Sequence, residues 1–334
     1  MSDQSDVIIK QDDRIRLMSA VLAATDYPEQ AQKLKPHGTH VHARATRKYL
    51  TAYRGHPVVK QTQDLLDQGT PLEALFALVL LMTWPELKIA NAPSWMPEGY
   101  DAALRDFYTS AALETLWKRD GELWQKANKQ AQNAFAGRPL RDFFAAFIGD
   151  IAETMTFMPN ICYPTDHEIG FKLGGQLVAI APPPLAWGDS PPWPYDEPTM
   201  LTQSYRAAIQ VFGRELLKAY LRRHADQLDH ISANELPVSE QFKAQYTTWE
   251  AQFTTLFLSA AVAIYLEDHV DEREYQAYLL MEKKLRGMAV LPGVISVLRR
   301  FLKEKDSSNK YSTLIEFLPI FPRQLRVAQK IVRI

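Results

Sequence analysis

Apolar positions recur at helical spacing through most of the chain. Over residues 11–25, Ile15, Leu17, Met18, Val21 and Leu22 form one stripe, and Asp12 and Asp13 lie where a helix is electrostatically positive. The stretch 26–43 reads as a loop. Helix is expected over 44–53, stopping at Arg54-Gly55-His56-Pro57, and again over 58–68 up to Gly69, because Gly and Pro both end helices. Thr70-Pro71-Leu72-Glu73 joins an N-cap residue, a proline at the first helical position and a capping-box acid. The helix it opens, 72–83, is apolar nearly all round and is therefore expected to be deeply buried. Further helices are expected over 100–118, 120–135 and 139–153; in the last, Leu140, Phe143, Phe144, Phe147, Ile148 and Ile151 form the apolar face.

Near residue 155 the pattern changes. Residues 156–164 and 177–181 read as short strands, joined through Gly170 and Gly174-Gly175. Residues 182–198 hold seven prolines in 17 positions, a density that forbids helix and leaves a stiff loop carrying Trp187, Trp193 and Tyr195. Two long amphipathic helices follow. In 200–223 the stripe is Tyr205, Ala208, Ile209, Phe212, Leu216 and Tyr220; in 248–267 it is Trp249, Phe253, Leu256, Phe257, Ala260, Ile264 and Tyr265. A helix over 271–286 ending at Gly287, another over 292–304 and a solvated turn over 305–310 complete the pattern.

Composition narrows the function classes. The 334 residues carry a formal net charge of −1, which gives no global electrostatic attraction to nucleic acid or anionic membrane. A single cysteine, Cys162, excludes an internal disulfide framework and any multi-cysteine zinc site. The apolar runs 75–82 and 256–266 are shorter than the ~20 residues a membrane-spanning helix needs. With no secretion signal at the N-terminus, a cytoplasmic protein is expected.

Few residues suggest chemistry. His37, His40 and His42 fall within Pro-His-Gly-Thr-His-Val-His, and His40 and His42 would share one face of an extended piece, where two imidazoles can share a metal ion. No carboxylate or cysteine accompanies them at a recognisable spacing. His224 and His230 lie about 120° apart around a helix and cannot chelate one ion unless the helix ends between them. His269 sits among Glu267, Asp268, Asp271 and Glu272, in what reads as an acidic helix terminus. Cys162, in an apolar strand, reads as a buried thiol; a nucleophile there would need a base beside it. The chain has no GxSxG, GxGxxG or P-loop pattern.

The order of segments resembles a family of uncharacterised bacterial gluzincin-like proteins, whose C-terminal half carries an HExxH zinc motif. The resemblance runs through Asp12-Asp13-Arg14-Ile15, His42, Tyr49 to Val59, Met158-Pro159-Asn160, Val178 to Ala181, Leu285-Arg286-Gly287-Met288 and Lys310 to Pro319. In such proteins the two His hold zinc, the Glu between them activates the bound water, and a Glu on a later helix completes the site. Here the matching helix reads Gln203-Ser204-Tyr205-Arg206-Ala207-Ala208-Ile209. Tyr205 and Ile209 stand at the ligand positions, Arg206 stands at the general base, and Thr255 falls near the third ligand with Glu250 displaced from it. No HExxH exists anywhere in the chain.

The fold class expected is mainly α (α+β). A helical, bundle-like N-terminal part spans 1–154. A degenerate zincin-like part with a small β-sheet and two long core helices spans 155–334, and the pattern is compatible with one compact unit. The resemblance implies a catalytically inactive, metallopeptidase-like protein without zinc, which binds a peptide or protein partner in a relict cleft lined by Tyr205, Arg206, Trp187, Trp193 and Glu250. No nucleic-acid or membrane partner is expected. Two alternatives stand beside it. One is an active hydrolase with a non-standard metal site, at His37, His40 and His42 or assembled from His224, His269 and nearby acids. The other is a helical scaffold with no cleft function.

Overall fold

A computed structural model describes residues 6–34, 40–162, 168–184, 194–308 and 310–332. The protein is mainly α-helical with one small mixed sheet, as the apolar periodicity predicts. The chain forms two compact units built from interleaved stretches. A sheet unit takes Val7–Ala136 and Met155–Met200; a helical unit takes Asp6, Gly137–Thr154 and the chain from Leu201 onward.

In the sheet unit, strand β1 (Val7–Ile9) pairs in parallel with β2 (Thr154–Pro159), Val7 opposite Met155 and Ile9 opposite Phe157. Next to β2 lies β4 (Gln176–Ala181), and β3 (Ile169–Leu173) forms the far edge, antiparallel to β4. The sheet therefore draws on both sides of the boundary expected at 154/155. β1 and β3 are not anticipated by the sequence pattern, because one is only three residues long and the other is interrupted by Gly170.

Among the described residues, eight α-helices precede β2 in this unit: α1 (Asp13–Ala24), α2 (Tyr27–Leu34), α3 (Val41–Leu50), α4 (Pro57–Asp67), α5 (Leu72–Leu81), α6 (Tyr100–Ser110), α7 (Leu113–Arg119) and α8 (Gly121–Phe135). α1 is buried from Ile15 to Ala24 and packs on α3, α4 and α5. Its first turn is held by Asp12, which accepts from the Arg14 backbone N–H at 3.1 Å. The Arg14 guanidinium pairs with Asp12 and donates to the Leu80 and Met82 carbonyls at 2.9 and 2.8 Å. One side chain thus ties the start of α1 to carbonyls that the end of α5 leaves without helical partners.

Three expectations are corrected here. The loop expected over 26–43 contains α2, because Pro28 sits in a first turn, where its missing N–H is not needed. The helix expected over 100–118 breaks between α6 and α7, where Ala112 takes φ +46°. The strand expected over 156–164 ends at Pro159, so Cys162 lies in a turn beyond it.

The helical unit contains α9 (Leu140–Ile148), α10 (Leu201–Arg223), α11 (Ala225–Ser232), α12 (Glu240–Gln245), α13 (Trp249–His269), α14 (Glu272–Arg286), α15 (Leu291–Ser308), α16 (Leu314–Phe317) and α17 (Phe321–Val332). α9 stops short of the expected 153 at Gly149, which takes φ +82°. α13 is the axis of the unit: every side chain from Leu256 to Leu266 is buried. α10, α14 and α15 pack around it, and α9 adds Phe143 against Tyr265 (5.2 Å between ring centres) and Phe147 against Phe257 (5.2 Å). α10 runs antiparallel to α13, with Tyr205 against Tyr265 and Gly213 beside Leu258. The start of α10 is capped by another helix, since Glu274 of α14 accepts from the Thr202 N–H at 2.9 Å. α14 ends at Gly287 (φ +64°), the stop that the sequence predicts.

A side chain at Gly213 has nowhere to go: a Cβ there would lie 2.7 Å from Leu258 Cδ2 and 2.8 Å from Phe144 Cε1. Gly213→Leu is expected to destabilise the protein by about 2–3 kcal/mol or more, read as a lower urea midpoint at unchanged slope.

Candidate functional site

The zinc-ligand positions implied by the resemblance fall on the first turns of α10. Tyr205 and Ile209, one turn apart, have no exposed surface. Their face of α10 is a packing face: the Tyr205 ring lies 5.3 Å from that of Tyr265, and the Arg138 guanidinium stands 5.8 Å from the Tyr205 ring centre. Arg206 points about 100° away around the helix, as any next residue must. It is half-buried and lies near the Tyr278 phenol, as do Glu282 and Arg286. The expectation that Tyr205 and Arg206 line one cleft therefore does not match their directions.

Glu250 is exposed in the first turn of α13, fifteen residues before Tyr265, which is about 22 Å along the helix. It is not brought to Tyr205. Thr255 turns back on its own helix, donating to the Ala251 carbonyl at 2.8 Å. Trp187 and Trp193 lie outside the described residues, as does His37. Tyr195, from the same proline-rich segment, is fully buried and donates to the Ala181 carbonyl at 2.7 Å.

What gathers around Tyr205 instead is a set of hydrogen-bond donors at the C-terminal end of α13. Arg138, just before α9, donates to the His269 carbonyl at 2.5 Å and is half-buried. The Tyr265 ring is packed between Phe143, Tyr205 and His269, the last at 4.7 Å, and its hydroxyl is buried without a hydrogen-bond partner. Burial pushes both phenols up, Tyr265 beyond its ordinary range, with Arg138 opposing in each case. Burial also lowers the His269 imidazole, against the pull of Asp268. Nothing in the sequence around Arg138 marks it, and 127 positions separate it from Tyr265 in the chain.

The acids flanking this site are already engaged. Asp6 accepts from the Arg141 N–H at 3.0 Å, and Asp268 and Glu267 bind Arg299, Asp268 at 2.7 Å. His224 cannot join His269, because it follows the last residue of α10 and so lies at the opposite end of the antiparallel pair. There it is the N-cap of α11, its ring tilted against that of Tyr220 at 4.7 Å, and His230 lies farther along the same helix, so no helix end falls between the two histidines.

In the sheet unit, His40 is the N-cap of α3. Its Nδ1 accepts from the Ala43 N–H at 3.4 Å, which puts the proton of the neutral ring on Nε2. Nε2 is buried without a partner and, as an N–H, has no lone pair for a metal while the cap is made. His42 lies edge-on at 6.0 Å between ring centres. Among the described residues no three His, Cys, Asp or Glu side chains are grouped to hold a metal ion. Cys162 accepts from the Thr46 hydroxyl at 3.2 Å, and burial raises its thiol to about 11, the opposite of an activated nucleophile.

No protein-family model, curated protein or solved structure matches this chain. Among the described residues no helix is long and apolar enough to cross a membrane.

Two predictions follow from the sheet unit. Burial first, then the charges of His42 and Arg44, lowers His40 from 6.5 to about 3. The unfolded chain therefore takes up a proton that the folded chain refuses, so stability is full above pH 6.5 and declines as pH falls toward 3. The loss reaches about 2 kcal/mol at pH 5. His40→Asn keeps a capping oxygen and removes the titration; chemical denaturation at pH 7 and pH 5 is expected to show that decline shrink by about that amount. The Cys162 thiol, about one part in a thousand ionised at pH 8, is expected to react with a disulfide reagent hundreds-fold faster after unfolding in guanidinium.

Proposed function

We propose that this protein is a non-catalytic, metallopeptidase-like binding protein that holds a peptide or protein partner. One observation carries the reading. At the turns of α10 where the resembled zinc hydrolases need two imidazoles and a carboxylate, this chain has Tyr205 and Ile209, both without exposed surface, and Arg206. A tyrosine and an isoleucine packed into a helix interface give zinc no lone pair of the required kind, and an arginine cannot take a proton from water at neutral pH. The half-buried cations on this part of the unit, Arg138 and Arg206, suit recognition of an anionic or extended chain better than bond cleavage.

Binding and hydrolysis separate in one experiment. Purified full-length protein is incubated with a pool of random-sequence peptides, passed through gel filtration, and the retained peptides are read by mass spectrometry. A retained subset of intact length is expected. Cleaved fragments would overturn the non-catalytic part of the proposal, and no retention at all would overturn the binding part.

A further inference from the structure

The end of α13 gathers donors without gathering acceptors to match. Arg138 spends one N–H on the His269 carbonyl and hydrogen-bonds the Tyr205 phenol as well; among the described residues no carboxylate pairs with it. A guanidinium bound to a peptide carbonyl keeps its whole charge, and half-burial makes that charge costly to leave unmatched. Beside it, the Tyr265 hydroxyl is a buried donor with no acceptor, on a residue with no exposed surface. The nearby acids do not supply one: Asp6 is bound by the Arg141 backbone, Asp268 and Glu267 by Arg299. The half-exposed His269 ring, packed against Tyr265 and near Phe143, forms the apolar and polar rim.

We propose that Arg138, Tyr265 and His269 form a carboxylate-binding site. One carboxylate oxygen takes an N–H of Arg138 that serves neither the His269 carbonyl nor Tyr205, and the other takes the Tyr265 hydroxyl, with His269 at the rim. This rests on the partner-binding reading for its natural occupant, which is a carboxylate of the bound chain, at its C-terminus or on an acidic side chain. A free small carboxylic acid offers the same chemistry. Arg138 also has a plain structural role as a cap on the last carbonyls of α13, so removing it alone does not test the site.

Tyr265→Phe does. It leaves the cap and the ring packing in place and removes only a hydroxyl that has no partner, so the variant is expected to melt at the parent Tm or a few degrees above it in sodium chloride. Thermal melting of the full chain is followed at pH 7 while sodium acetate replaces sodium chloride at constant ionic strength. Acetate is expected to raise the parent Tm saturably by about 2–4 °C and to leave Tyr265→Phe and Arg138→Gln unshifted. No acetate shift in the parent, or an undiminished one in Tyr265→Phe, would overturn the site. So would a Tyr265→Phe variant markedly less stable in chloride, since the hydroxyl would then already have a partner. A second arm compares N-acetyl-glycyl-alanine with its C-terminal amide. A shift with the acid and none with the amide supports a peptide carboxylate as occupant. A shift with acetate and none with either peptide sustains the site for a free small carboxylate and overturns the peptide occupant.

Discussion

A helix that is apolar on every side must be covered on every side. α13 imposes that condition on the helical unit: from Leu256 to Leu266 no side chain reaches solvent, and each large apolar one contributes on the order of 1.5–3 kcal/mol only if its neighbours close over it. α10 meets it with Tyr205, Ile209 and a glycine at the closest approach, α9 with phenylalanines, and α14 and α15 complete the cover. The inward face of α10 is thereby committed to packing along its length. Polar chemistry is left to the ends of the antiparallel pair, with Arg138 and His269 at one end and Glu250 and His224 at the other. That partition explains why Glu250, which the resemblance assigns to the same cleft as Tyr205, lies far from it, and why donors from three elements meet at the end of α13.

In the sheet unit the buried polar groups are disposed differently. Ser19 of α1 accepts from the Asn160 side chain at 2.7 Å, and the Asn160 backbone N–H reaches the Ala181 carbonyl at 2.9 Å, which also accepts from Tyr195. Arg16, almost fully buried, is sandwiched between Trp117 and Trp124 with its carbon centre 4.4 and 4.7 Å from their rings, and pairs with Asp13. The Ser19–Asn160–Ala181–Tyr195 chain is closed by these bonds, and the Arg16 charge by Asp13 and two indole faces, so these polar residues fix how α1 sits on the sheet and its turns. The thiol of Cys162 belongs to this structural set.

The long helices were legible because their signals are redundant. α13 has a Thr cap and twenty residues of apolar stripe, and α14 has an Asp at its start and a left-handed glycine at its end. What escaped were elements whose cause lies elsewhere in the chain. Val7–Ile9 is a strand only because Met155–Phe157 supplies its hydrogen bonds, and α2 carries in its first turn a proline that reads as a breaker out of context. The break at Ala112 carries no glycine to announce it. The site behaved likewise: Tyr205 was picked out for the position it holds relative to a zinc motif, whereas Arg138 and Tyr265 acquire meaning only through proximity. His269 reads as part of an acidic terminus until Arg299 is seen to neutralise that terminus.

The parallel pairing of β1 with β2 also bears on the order in which the molecule is made. Val7, buried in the finished sheet, leaves the ribosome long before Met155 exists. At roughly 5–20 residues per second, β1 waits on the order of 7–30 s for its partner. For that interval residues 7–9 have no strand partner and hydrogen-bond to water, beside helices that are free to form locally. A circularly permuted chain that synthesises the two strands in succession would remove the delay altogether.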